Sequence, residues 1–370
     1  MITRLYVHNF RCFENFELPI SGMPSSLLIG GNGVGKSTIG SVLEVFQQIG
    51  RGTNMVAQLV QPKDFANDRS DVPLRFEIEA TLAKASYSYV LAFDLPVGFK
   101  QLRILEEKLS VDGEIIFNRN GATVEIPSKS NEEKAVKFSV DWHLVALPII
   151  QERSTSDPLH ILKTWLSRML ILAPIPRLIS GDSQGETLNP SLDLIDFGAW
   201  FTGLGRQFPA SYTTIDKHLK KLMPDFKEIT NPSVGKDSNS LVVHFQARDA
   251  NIAVPFHDLS DGEKCFIISA VVIAANEAYG PIFCFWDEPD NFLSIAEVGY
   301  IVMSLRRCFR NGGQLLASSH NSEAIPRFSA ENTMFLGRKS HLEPTVVRMI
   351  GEIHTSGDLI GALIRNDIEI

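Results

Sequence analysis

The sequence predicts an α/β fold with a mixed and largely parallel sheet core, an antiparallel β region and a helical insertion. Three observations predict it. A buried strand-like run, Ser26 to Ile29, leads into the glycine-rich Gly30-Gly31-Asn32-Gly33-Val34-Gly35-Lys36-Ser37, and residues 36–48 then repeat apolar side chains at Ile39, Val42, Leu43 and Phe46 with helical spacing. Leu74-Arg75-Phe76-Glu77-Ile78-Glu79 alternates apolar and polar residues, and Asp112-Gly113 and Asn120-Gly121 mark hairpin turns. The last third alternates helix-like and strand-like runs, the order that builds parallel α/β layers.

In chain order, residues 2–10 and 14–19 read as strands. Residues 74–79, 87–95 and 102–111 continue as an antiparallel region. Asp157-Pro158 reads as a helix cap followed by a first-turn proline, opening a helix to about Ser167. A short strand is expected over 169–176, a loop over 180–190, and helices over 192–204 and 212–223, broken at Phe208-Pro209. Strand returns at 241–245. Residues 260–279 and 295–310 read as helices, and 282–286, 315–318, 333–336 and 345–349 as strands. The expected organisation is one domain with a lobe over 1–150, a mainly helical insertion over 151–235 and a second lobe over 236–370.

The 370 residues carry a formal net charge of −8, which argues against a protein that coats nucleic acid through a generally basic surface. The four cysteines, Cys12, Cys265, Cys284 and Cys308, are scattered, the pattern of buried thiols in a reducing compartment. The longest nearly apolar run, 265–275, is too short to span a bilayer, and no charged-then-apolar leader opens the chain. A cytoplasmic location without a membrane partner is the expectation.

Gly30 to Ser37 fits the phosphate-cradling pattern G-x-x-x-x-G-K-[ST]. Glycines let backbone N–H groups converge on phosphate oxygens, and the helix opening near Gly35 adds its positive end. Lys36 would reach the β and γ phosphates, and Ser37 would supply a Mg²⁺ ligand, with Thr38 beside it. The apolar run Ile282-Phe283-Cys284-Phe285-Trp286 ends in Asp287 and Glu288, delivered to a strand's carboxyl edge. There Asp287 would hold Mg²⁺ and Glu288 would orient and polarise a water. Leu259-Ser260-Asp261-Gly262-Glu263 reads as a capping box before an apolar helix, and the same exposed helix start can bind phosphate.

This order of motifs resembles the ABC-type ATPases. The resemblance implies ATP and Mg²⁺ as ligands, and a head-to-tail homodimer in which Ser260 and Gly262 of one copy close on the nucleotide of another. His320, after the strand-like Leu316-Ala317-Ser318, resembles the family's switch histidine. Asn291 and Ser294 would lie in the loop crossing the dimer interface. The stretch Asn9-Phe10-Arg11-Cys12-Phe13 is similar to one in the RecF/OLD-like branch, and implies that Arg11 lies near the nucleotide. The family's metal-linking glutamine has four candidates, Gln47, Gln48, Gln58 and Gln61.

Long coiled-coil arms of the SMC type are absent, and only about fifty residues follow His320, too few for a further ordinary domain. The expectation is a stand-alone ATPase switch controlling a separate effector, a nuclease or toxin, as similar ATPases do in anti-phage defence. Asp367-Ile368-Glu369 reads as a solvated tail. Two alternatives stay open. A RecF-like DNA clamp would use Lys217, Lys220, Lys221 and Lys227 as a basic face. A slow ATPase would act as a structural scaffold.

Overall fold

The computed structural model describes residues 1–128, 135–321 and 324–353; the Asp367-Ile368-Glu369 tail lies outside them. The chain forms two compact units. One comprises Met1–Met23, Ile29–Met169 and Met334–Ile370, the other Pro24–Leu28 and Leu170–Thr333. The units are therefore interleaved in sequence.

The first unit holds an eight-stranded antiparallel sheet. Its order is Phe16–Leu18, Ile2–His8, Leu74–Leu82, Ala85–Asp94, Arg103–Val111, Glu114–Asn120, Thr123–Ile126 and Val136–Ser139. The period-2 pattern of Leu74–Leu82 puts Leu74, Phe76, Ile78 and Ala80 on a buried face. The helix Lys36–Gly50 lies on that face, with the Phe46 ring 6.3 Å from Phe76 and 6.0 Å from Tyr89. Its last glycine is a packing requirement. A Cβ on Gly50 would lie 2.6 Å from Leu166 Cβ and from the Ser167 backbone, in the helix Pro158–Ser167. That second helix opens as expected, with the Asp157 carboxylate accepting from Leu159 N–H.

A buried ion pair lies on the same face of this sheet, beside Tyr89. Glu107 and Arg119 are both fully buried, 3.5 Å apart. Glu107 accepts from Tyr89 OH and from the backbone N–H groups of Ala146 and Leu147. Arg119 donates to the carbonyls of Gly121, Asp141 and Leu144. Both charges thus have full sets of partners, and together they fasten the segment 140–147 to the sheet.

The second unit is built on four parallel strands in the order Leu170–Leu172, Phe283–Trp286, Gln314–Ser318 and Ser25–Ile29. Almost every residue in them is buried, as expected for strands covered on both faces. The helix Asp261–Tyr279 is buried nearly all round, consistent with its unbroken apolar sequence. In the first unit Met334 to Gly337 pair antiparallel with Val346–Met349.

The region read as a mainly helical insertion is more mixed. Helices Phe197–Gln207 and Ser211–Leu222 are present. Within the stretch expected to be loop, Asp182–Gln184 forms a strand paired with Ser238–Ser240. The helix expected from residue 192 starts only at Phe197. The Asp196 carboxylate binds Ser191 N–H and Oγ, and Leu194 is left-handed at φ 58°, so this turn captures the chain ahead of the helix.

Two expectations follow. Glu107→Ala strands the buried Arg119 and should cost about 3 kcal/mol or more in urea unfolding. His218, half-buried and 3.2 Å from Ser269 Oγ, has its pKa lowered to about 4 by desolvation and then by Lys221. Between the unfolded pKa of about 6.5 and 4 the unfolded chain binds the extra proton, so stability should fall as pH falls through that window. A His218→Gln variant should flatten that part of a denaturation-versus-pH profile.

Candidate functional site

The phosphate-loop half belongs to the first unit from Ile29 onward. Gly30, Gly33 and Gly35 take φ values of 149°, 77° and 103°, which a side chain would oppose. At Gly30 a Cβ would sit 2.2 Å from Leu336 O, and at Gly35 it would meet Cys12 Sγ at 2.7 Å and the Phe13 ring at 2.9 Å. The sequence therefore shapes the loop twice, by backbone freedom and by close approach. Thr345 ties it further, donating from Oγ1 to Val34 O and from N–H to Cys12 O. Lys36 is buried at 6% exposure, its Nζ 2.9 Å from Gly30 O and 3.0 Å from Gly31 O. Asn32, Gly33 and Ser37 are exposed, and Gly31 and Thr38 half-buried. This is an exposed rim of backbone around a buried ammonium, a cradle for anionic oxygens.

Arg11 sits at φ 51° and is held by Asp64 through Nε at 3.0 Å and by Ser41 through a 3.0 Å bond. Ser41 is one turn beyond Ser37 and donates to its carbonyl. Arg11 thus lies along the first turns of the loop helix, with Asp64 already on its guanidinium. Among the glutamines, Gln47 is buried and donates to Met169 O at 2.6 Å, a packing role. Gln48 accepts from Thr53 Oγ1, whereas Gln58 and Gln61 are exposed.

The carboxylate half lies within the second unit. Asp287 N–H continues the strand pairing to Leu172 O at 2.7 Å. Its Oδ1 accepts a short bond from Ser318 Oγ. The same Ser318 Oγ accepts Glu288 N–H at 3.0 Å. Glu288 is left-handed, at φ 53°, an uncommon conformation for a residue with a Cβ. Its Oε1 is 3.1 Å from His320 Nε2. Both side chains are partly exposed, so the pair can be reached from solvent. The arrangement is an acid–base pair that can hold and orient a water.

Also in the second unit, Ser260 caps the helix Asp261–Tyr279. Its Oγ donates to Glu263 Oε2 at 2.7 Å and accepts Glu263 N–H at 3.3 Å, the capping box expected from sequence. Asp261 pairs with Arg177 at 3.3 Å, and buried Lys264 donates to Pro176 O. A Cβ on Gly262 would lie 3.2 Å from Phe292 O, so glycine lets this helix start approach the 291–294 loop. Asn291 is exposed, and Ser294 caps the helix Ile295–Arg310 in a capping box with Glu297. The lysines considered for a basic face, Lys217, Lys220, Lys221 and Lys227, are exposed, and Lys220 is paired with Asp216.

Among the described residues no cluster of three or more His, Cys, Asp or Glu could hold a metal by itself. Mg²⁺ binds with few protein ligands when phosphate and water complete its shell, and the Ser37 hydroxyl in the first unit and the Asp287 carboxylate in the second are each a hard oxygen donor of the kind it takes. Sequence reasoning missed the residues that fix these groups, namely Ser318, Ser319, Asp290, Asp64 and Thr345. The one available signal was the doubled serine before His320.

The model of the AAA ATPase domain matches residues 1–146. No curated protein matches the sequence. An SMC head solved with the C-winged helix domain of ScpA aligns at a TM-score of 0.58 and 15% identity, over 95% of this chain and 99% of that one. The SMC head domain from Thermotoga maritima aligns at 0.49 and 12% identity, over 94% and 98%. The fold is α/β with mixed sheets, like that of the SMC head solved with ScpA. Among the described residues no helix is long and apolar enough to cross a membrane.

Gly35→Ala should destabilise the chain by about 1–3 kcal/mol in urea unfolding. Gly52→Ala, at φ 100° with nothing within 4 Å, meets only the backbone penalty and should cost less. The difference measures the crowding by Cys12 and Phe13.

Proposed function

We propose that this chain is an ATP-binding and ATP-hydrolysing switch that closes as a homodimer around ATP and controls a separate effector. The observation that carries the reading is the carboxylate turn, where Glu288 is held left-handed by Ser318 with His320 3.1 Å from its carboxylate. A non-glycine residue in that conformation costs about 1–3 kcal/mol and marks a side chain that must point one way.

On this reading the glycine loop takes the triphosphate through its N–H groups and Lys36 offsets the β and γ charge. A bound Mg²⁺, with Ser37 and Asp287 as oxygen ligands, would neutralise the developing phosphate charge. Glu288 orients a water for in-line attack and accepts its proton, and His320 steadies the carboxylate and senses the terminal phosphate. The Ser260 helix start serves the nucleotide of the second copy with its hydroxyl and first-turn N–H groups, which is why one copy does not suffice. An ATP-dependent change between open and closed pairs is then the signal, read by a nuclease or toxin as the RecF/OLD-like resemblance implies.

Lys36→Ala should weaken ATP binding about tenfold or more. Glu288→Gln should keep ATP binding, slow hydrolysis by about a hundredfold or more, and accumulate an ATP-dependent dimer in mass photometry. Turnover per chain should rise with protein concentration. A chain that hydrolyses ATP at full rate at high dilution, as a monomer, would overturn the composite site.

A further inference from the structure

The doubled serine at the end of the strand Gln314–Ser318 does two different jobs. Ser318 faces Asp287 and the Glu288 N–H. Ser319 Oγ donates instead to Asp290 Oδ2 at 2.6 Å. The same Oγ accepts Asn321 N–H at 2.9 Å, and Ser319 N–H donates to Leu28 O at 3.0 Å. The turn that carries Glu288 is therefore fastened at both its ends, and the residue between Ser319 and Asn321 is His320.

Asp290 is only 4% exposed and Ser319 only 1%. A carboxylate is a costly group to bury, and here it lies two positions from a second carboxylate, Glu288. A neutral acceptor would hold a serine hydroxyl at lower desolvation cost. What the charge adds is a short, strong bond whose direction is fixed. Asp290 has no path to a reacting atom of its own, because its side chain is enclosed. Its side-chain hydrogen bond comes from Ser319.

We propose that Asp290 and Ser319 are positioning residues for hydrolysis, a bolt that sets the His320 turn against the Glu288 turn. The proposal rests on the ATPase reading above and deepens it. Losing the bolt leaves Ser318 in place, so the carboxylate strand stays formed while His320 drifts relative to Glu288. Displacements near 1 Å in a catalytic pair are worth about a hundredfold in rate. The nucleotide cradle lies outside these bonds, so ATP affinity should change little.

The test is a double-mutant cycle on the full-length protein with kcat, ATP Kd and thermal midpoint measured together. Asp290→Ala and Ser319→Ala should each lower kcat about tenfold to a hundredfold, with ATP Kd within about threefold, since no charge-assisted phosphate contact is removed. The double variant should be no worse than either single one. Asp290→Asn, which keeps an acceptor oxygen but loses the charge, should recover part of the rate lost in Asp290→Ala. Amide exchange at Asn321, whose N–H Ser319 Oγ accepts, should quicken in Asp290→Ala. Unchanged kcat and unchanged exchange in Asp290→Ala would overturn the bolt, as would additive losses or losses that track the thermal midpoint. A wild-type chain with no ATP turnover would instead sink the ATPase reading, and the exchange measurement would still decide whether Asp290 orders the His320 turn.

Discussion

The arrangement depends on the parallel register of four buried strands. Leu170–Leu172 pairs with Phe283–Trp286, that strand with Gln314–Ser318, and that one with Ser25–Ile29. Parallel pairing makes the strands finish on one edge, so residues just past the last apolar side chain emerge together. Trp286 is opposite Ala317, and Ser318 is opposite Leu28. The next residues are Asp287 and Glu288 on one strand and Ser319 and His320 on its neighbour. A one-residue slip would turn every side chain to the other layer and part the carboxylates from the serines that hold them. Strands buried on both faces tolerate no such slip, because every position is filled by the core.

How much of this was legible follows from what each element rests on. The loop helix Lys36–Gly50 and the buried helix Asp261–Tyr279 carry long apolar patterns and clear start signals, so periodicity found them. The antiparallel region was read from the alternation at Leu74–Leu82 and from its hairpin turns. The strands Asp182–Gln184 and Ser238–Ser240 were not. They are three residues long, polar, and defined only by pairing with each other across more than fifty positions. Residues 192–195 have helical spacing, yet Asp193 and Asp196 bind Ser191 and win the backbone locally. In both cases a tertiary or side-chain bond decided against local pattern.

The candidate site divides in the same way. Residue types and spacing displayed the glycine loop, the paired carboxylates, the serine cap and the histidine, because phosphate chemistry demands those groups in short motifs. What fixes them was hidden. Arg11 is bound by Asp64, Asp290 by Ser319, and Val34 by Thr345, each pair far apart in sequence. No single-sequence rule predicts such pairs, since each member alone reads as an ordinary surface or cap residue.

The capping box at Ser260 shows why a bland reading and a functional one need not compete. Its hydroxyl has one proton, which in this state goes to Glu263 Oε2. The helix start is held by two further bonds, Ser260 N–H to Glu263 Oε2 and Glu263 N–H to Ser260 Oγ. Turning the hydroxyl proton toward an approaching anion breaks only the first of the three. The cap therefore survives while the hydroxyl changes acceptor, and the Glu263 carboxylate keeps its backbone partner. On the proposed reading, a second copy's phosphate competes with Glu263 for one proton and leaves the helix untouched. That exchange needs little reorganisation, which is what a reversible nucleotide-driven contact requires.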